Sequence, residues 1–166
     1  FHKVVLEQVP AECLPLIEPM TKVLAEMTAR IKEFDVMIKR AAESHPIASQ
    51  LQKIIGIGPI TSLYFVHKIE DPGRFSRVRE IGSYLGLCPK RDQSGACDKQ
   101  LRISKAGDSY LRRLLVSAAQ YILGHFGKDC ALREFGLRLS ERGGPRAKKK
   151  AVVAVARKLS VLIDRK

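Results

Sequence analysis

The sequence contains no apolar run near the ~18 residues that a membrane-spanning helix requires, and no stretch reads as a secretory signal. Its four cysteines, Cys13, Cys88, Cys97 and Cys130, form no Cys-x-x-Cys pair, and no histidine stands at ligand spacing from them. A zinc centre is therefore not expected, and reduced thiols in a cytoplasmic protein are. No internal repeat or low-complexity tract is present, and a hydrophobic content of 45% excludes a disordered tail. Acidic residues are scarce in one part only. Residues 1–45 hold 6 Lys/Arg and 7 Asp/Glu, whereas residues 46–166 hold 24 and 10, a net of +14. So local a cationic excess points to a polyanionic partner, nucleic acid first and an anionic membrane surface second. The basic residues are interleaved with core patterns and not gathered on one amphipathic helix, which argues against the membrane surface.

The 166 residues suffice for one domain and an accessory segment. Residues 11–43 read as a long helix. Ile17, Met20, Leu24, Met27, Ile31, Phe34, Ile38 and Ala41 alternate spacings of 3 and 4, a heptad seam held for over three heptads. Pro10, Pro15 and Pro19 put the regular start near Pro19. A strict narrow seam fits a coiled coil, between two chains or within one. An amphipathic helix packed on the following domain is the alternative. The division expected is 1–45 for this helix, with coiled-coil or dimerising character, and 46–166 for a compact helical domain. The fold class is all-α.

Residues 47–69 carry a second pattern: a short helical stretch, then Ile55-Gly56-Ile57-Gly58-Pro59, then a helix from Ile60 to Ile69. Hydrophobic-Gly-hydrophobic-Gly between helices resembles the helix-hairpin-helix of DNA-binding proteins. Gly56 and Gly58 would permit a tight turn and close backbone approach. N–H groups at the start of the second helix would then meet a phosphate without reading sequence. An ordinary helical hairpin turn is the alternative, with Tyr64, Phe65 and His67 as packing residues. Asp71-Pro72-Gly73 is a turn, and Phe75–Leu85 reads as a short helix.

Between 88 and 100, Pro89, Gly95 and a polar run argue for a loop, with a short extended piece possible at 98–104. From Gly86 to Arg113, the cations Lys90, Arg91, Lys99, Arg102, Lys105, Arg112 and Arg113 face only Asp92, Asp98 and Asp108. Ser94 lies in the middle, beside Gly95. A hydroxyl set among fixed positive charge suits attack on a phosphodiester, because the cations stabilise charge developing on the phosphate oxygens. A solvated Ser-Gly turn accounts for the same residues. Asp108 is a fair N-cap for a helix running to about Phe126. Arg112 and Arg113, in its first turns, oppose the helix dipole and need an offset: phosphate, packing or Asp108. A helix over 129–141 ends at Gly143-Gly144-Pro145. The last helix, about 146–164, opens on Lys148, Lys149 and Lys150, which either meet phosphates or form a solvated run.

In order, Gly56-Ile57-Gly58-Pro59, Arg74-Phe75, Tyr84-Leu85-Gly86-Leu87-x-Pro89, Ser94-Gly95, Ile103-Ser104-Lys105-x-Gly107-Asp108-x-x-Leu111-Arg112 and Ala154-Val155-Ala156-Arg157-Lys158-Leu159 resemble the C-terminal transposase domain of the "IS-one-ten" insertion-sequence recombinases, over about residues 47–162. The heptad helix resembles the coiled-coil segment that precedes this domain in the family. The resemblance implies a DNA transposase or site-specific recombinase. Ser94 would be the nucleophile that forms a covalent phosphoserine link, and an RNA encoded by the element would pair with target and donor DNA. It implies further that a RuvC-like domain with acidic metal ligands precedes the region. Residues 1–46 offer no such constellation, so the chain is expected to be the back half of an enzyme. No metal or other cofactor is expected in this chain, the divalent metal belonging to the RuvC-like domain. Expected partners are DNA, a guide RNA and, through the N-terminal helix, a second copy. A non-catalytic helix-hairpin-helix binding module with an oligomerising helix is the other reading of the same residues.

Overall fold

The structure, a computed structural model, describes residues 4, 8–71, 73, 75–94 and 97–165, with backbone alone at 92, 94 and 97–100. The chain divides into two units, Phe1–Ala41 and Ala42–Lys166. In the first, a 3-10 turn over Ala11–Cys13 leads into α1, Leu14–Ser44, which runs through the unit boundary. The helix starts five residues before Pro19, the start expected from the sequence. Pro15 falls in the first turn, where no N–H is needed. Pro19 lies inside the helix and removes one bond, the one Pro15 C=O would have accepted, so a 31-residue helix absorbs it. Side-chain pairs Glu18–Lys22 (2.9 Å) and Arg30–Glu33 (2.8 Å) decorate the surface. Each stabilises the helix by roughly 0.2–0.5 kcal/mol. The seam residues Met20, Leu24, Met27, Ile31 and Phe34 are 46–63% exposed.

Among the described residues, the regular structure of the second unit is helical except for one hairpin. Helix α2 (Pro46–Leu51) has His45 as N-cap and Pro46 in its first turn. Helix α3 (Pro59–Ile69) starts from Gly58 with Pro59 in its first turn. Gly73 N–H donates to Asp71 Oδ1 at 2.7 Å, closing a side-chain turn. Helix α4 (Glu80–Tyr84) is shorter than the Phe75–Leu85 helix expected. The preceding residues turn with a tighter bond, Glu80 N–H to Arg77 O at 2.8 Å, instead of the helical ladder. Phe75 still packs its ring on Tyr84, centroids 5.5 Å apart.

The stretch expected as a loop is a β-hairpin. Strand β1 (Pro89–Ser94) pairs antiparallel with β2 (Cys97–Ile103), in the register Ser94 with Cys97, Asp92 with Lys99, Arg91 with Gln100 and Pro89 with Ile103. Pro89 does not forbid this, because it is the first residue of an edge strand, where no ladder N–H is required. Gly95, the other expected breaker, lies outside the described residues, as do Pro72 and Arg74.

Helix α5 (Ser109–Leu123) stops three residues short of Phe126. Gly124 turns extended. Arg133 Nη1 takes over the helix end by donating to Ile122 O (2.6 Å) and Gly124 O (2.7 Å), as basic side chains near a C-terminus can. Helices α6 (Ala131–Glu141) and α7 (Ala147–Asp164) follow. The core is centred on α7. Val155, Ala156, Leu159 and Ile163 are buried against Leu111, Leu115, Ala119 and Ile122 of α5 and against Ile81 and Leu85. Gly136 lets α6 lie close, since a Cβ there would stand 2.7 Å from Val155 Cγ2.

Two glycines share a left-handed conformation in very different surroundings: Gly107 (φ 70°), where a Cβ would overlap Tyr84 O, and Gly143 (φ 72°), which faces open space. Gly143→Ala is expected to cost only the conformational strain, roughly 1–2 kcal/mol. Gly107→Ala adds a backbone clash, for roughly 2–4 kcal/mol in all. Urea denaturation of the two variants checks this, and equal losses would contradict it.

Candidate nucleic-acid interface

The hairpin rises from a closely joined base. Gly86, at φ 65°, brings the chain leaving α4 against the chain leaving β2, so that a Cβ at Gly86 would overlap both Ala106 N and Ala106 O. Lys105 N–H donates to Gly86 O (3.1 Å) and Ser104 N–H to Cys88 O (2.9 Å), extending the pairing below the strands. Lys105 itself holds a positive φ of 58°. From α5, Arg112 Nη1 donates to Leu85 O (3.1 Å) and Ala106 O (2.8 Å), one carbonyl on each side of the base.

Asp108 then fixes the start of α5. Its Oδ1 accepts from Leu111 N–H (2.7 Å), while Oδ2 accepts from Tyr64 OH (3.1 Å) and pairs with Lys68 Nζ (3.5 Å), both on α3. The Leu111 amide, above the other contacts, holds the Asp108 carboxyl below its ordinary range. Tyr64 is raised, first by desolvation and then by Asp108. Tyr64 also packs edge-on to Tyr110, centroids 4.7 Å apart. Arg113 lies over the Tyr110 ring, 5.4 Å from its centroid, within reach of a cation–π attraction. The offsets required for the two arginines of α5 are thus carbonyl oxygens for Arg112 and an aromatic face for Arg113.

The hairpin and its flanks bring together most of the residues singled out in the sequence. Lys90 and Arg91 on β1, Arg102 on β2, and Lys105 are exposed, as is Arg113 nearby. Lys99 pairs in β2 opposite Asp92, and Ser94 is the last residue of β1. Ser94 therefore stands at the end of a basic ribbon, not in the middle of an irregular loop. Arg112 differs from its neighbours in being half-buried and committed to carbonyls. Lys148, Lys149 and Lys150 are exposed in the first turns of α7, a different element.

Gly56 and Gly58 have separate roles at the start of α3. Gly56 needs its φ of 90°, and a Cβ would press on Ile122 (3.0 Å) and Ala118 O (3.2 Å), so it seats the turn on α5. Gly58 is extended (φ −96°, ψ 178°), caps α3 without a side chain, and would meet nothing within 4 Å. Cys13, Cys88 and Cys130 are free thiols. Among the described residues no three His, Cys, Asp or Glu side chains converge as metal ligands. No helix among them is long and apolar enough to cross a membrane.

The Tyr64–Asp108–Lys68 group is not apparent from sequence beyond the capping role of Asp108, because 44 residues separate Tyr64 from its partner. Fold and site together define an all-α domain that presents a cationic hairpin. The sequence profile described as "Transposase IS116/IS110/IS902 family" matches residues 48–134, from α2 through the hairpin and α5 into α6. The chain belongs to that family. It is 31% identical over 134 residues to the transposase for insertion sequence element IS1111A of Coxiella burnetii, covering 80% of this chain and 36% of that protein. A probable family 20 transposase of Pseudomonas aeruginosa is 32% identical over 126 residues, 71% of this chain and 37% of the relative. A pilin gene-inverting protein of Moraxella bovis is 33% identical over 124 residues, 74% and 37% respectively. The chain spans about a third of the length of these relatives.

Because the folded carboxyl of Asp108 is depressed below its ordinary value of 3.8, its stabilisation is present above that value and is lost as pH falls through the folded pKa. Asp108→Ala is expected to cost roughly 0.5–2 kcal/mol at neutral pH for loss of the cap. The gap to wild type should stay constant down to about pH 5 and begin to narrow below about pH 4. Urea midpoints across that range test it. A gap unchanged at acid pH would mean that the ionised carboxylate is not what stabilises the start of α5.

Proposed function

We propose that this chain is the nucleic-acid-binding and nucleophile-bearing part of a DNA transposase or site-specific recombinase of a mobile insertion sequence. The observation that supports it most is the position of Ser94 at the end of a hairpin bearing Lys90, Arg91, Lys99 and Arg102, inside the region matched by the family profile. The relatives are transposases and a pilin gene-inverting protein, names that speak of DNA segments that move or invert.

In this reading the Ser94 hydroxyl oxygen attacks a DNA phosphorus. One P–O ester bond breaks, the departing DNA oxygen takes a proton, and the backbone link is held as a phosphoserine diester. A DNA hydroxyl from the exchange partner later attacks the same phosphorus and releases serine, so no nucleotide cofactor is consumed. The cations of the hairpin offset charge on the phosphate oxygens. Activation of Ser94 is assigned to a RuvC-like domain elsewhere in the full-length recombinase, with its divalent metal. Residues 47–69 act as a helix-hairpin-helix, the N-terminus of α3 at Gly58, which no side chain caps, receiving a backbone phosphate. Lys148, Lys149 and Lys150 add a second cationic contact. A guide RNA of the element selects the DNA, and the exposed seam of α1 joins two copies as a coiled coil in the cytoplasm.

The start of α3, which no side chain caps, equally favours a second reading: a binding module that holds DNA or RNA and does no chemistry. The two separate in the full-length protein with DNA, RNA and metal. A denaturant-resistant protein–DNA adduct is expected with Ser94 and is expected to vanish in Ser94→Ala, with binding changed less than about twofold. Equal adducts would move the nucleophile elsewhere, and strand cleavage without any adduct would favour the binding module. For the chain itself, Lys90→Gln is expected to weaken duplex binding. The slope of log K against log salt should fall by about 0.9 for each phosphate that the variant no longer neutralises.

A further inference from the structure

The geometry points to Arg112 as a positioning residue that clamps the base of the hairpin, and not as one of its phosphate contacts. A single nitrogen, Nη1, is shared between Leu85 O (3.1 Å) and Ala106 O (2.8 Å). Leu85 lies four residues before the first strand residue, Pro89, and Ala106 three after the last, Ile103. The hairpin is thus closed from outside by a charge donated from α5. Three features concentrate the constraint at this point. Gly86 and Gly107 hold left-handed conformations with no room for a Cβ, Lys105 N–H returns to Gly86 O, and Asp108 caps the helix that carries Arg112.

Charge-assisted bonds are roughly twice as strong as neutral ones, and stronger still where water is excluded. Arg112 is half-buried, whereas Lys90, Arg91, Arg102, Lys105 and Arg113 are exposed. Those five present their charge to solvent, Arg113 while lying over the Tyr110 ring, whereas Arg112 directs its Nη1 donors to the chain itself. Above the clamp the ribbon is a two-stranded sheet, which has little stability of its own. Where the far end of β1, at Ser94, stands is therefore decided at the base. The consequence for Ser94 rests on the reading of Ser94 as nucleophile; the clamp does not.

Amide hydrogen exchange and duplex binding by this chain test the clamp, using Arg112→Gln, Arg112→Lys and Lys90→Gln. In both Arg112 variants, the amides of Ser104 and Lys105 are expected to exchange about tenfold faster or more, while amides of Val155–Leu159 in α7 are unchanged. The salt slope of binding to an arbitrary-sequence DNA duplex is expected to match wild type in both, in contrast to Lys90→Gln. Three outcomes would overturn the clamp: a reduced salt slope in Arg112→Gln with Arg112→Lys restoring it, wild-type exchange at Ser104 and Lys105, or equal acceleration in α7, which would mean general unfolding. Ser94→Ala is expected to leave both readouts untouched, so failure of the nucleophile assignment is seen separately. In the full-length recombinase, Arg112→Gln is expected to lower adduct formed per bound complex with DNA affinity unchanged.

Discussion

The second unit depends on one close approach of backbone to backbone. The chain leaving α4 and the chain leaving β2 pass so near that neither Gly86 nor Gly107 has room for another atom. Even strands paired in a sheet keep their Cα atoms about 5 Å apart. Here two glycines let the segments close in, and hydrogen bonds from Lys105 and Ser104 hold the gap shut. A ribbon that could bend freely against the helices is held at its root. The core then has a defined edge from which a polar, charged structure can project without carrying buried apolar area of its own.

The helices around that root serve different ends. Helix α7 supplies the apolar centre, with α5 and α6 packed on it and Gly136 permitting the approach. Helix α5 does double duty. Its inner face (Leu111, Leu115, Ala119, Ile122) is core, while Asp108 and Arg112 at its start reach α3 and the hairpin root. Stability and placement of the basic surface are thus carried by one helix. A change to its core face is felt at the ribbon, and a change at the ribbon root is felt in the capping of the helix.

Much of this architecture is legible in the sequence because helices announce themselves by period and punctuation. Asp108 capping α5, Pro59 opening α3 and the Gly143–Gly144 break before α7 are each readable from local chemistry. The hairpin is not, because charged residues occur on both strands and the sequence shows no apolar alternation with a period of two. Pro89 misleads for a positional reason, since the first residue of an edge strand can lack an N–H. The early start of α1 shows the same thing from the other side: one proline costs a long helix one bond, and 31 residues of ladder outweigh it. Arg112 is legible as basic and near Ser94, but its commitment to two carbonyls depends on Leu85, 27 residues away, and on chain reversal through the hairpin. The family resemblance supplies what local pattern does not, and residues that carry it, Gly86, Gly107, Asp108 and Arg112, meet at one place in the fold.

A ribbon of two strands is made entirely of edges. Strands β1 and β2 each turn one row of N–H and C=O groups outward, and such a row is a template for any other strand, including one from a neighbouring molecule. Lys90, Arg91 and Arg102 stand along that margin and repel a like-charged copy. The charge that suits the ribbon to a polyanion is the same charge that keeps it from zipping to itself. Attraction for polyanions and colloidal behaviour are therefore not separable properties of this surface: neutralising its cations one by one weakens its pull on negative charge and, by the same step, unguards a strand edge.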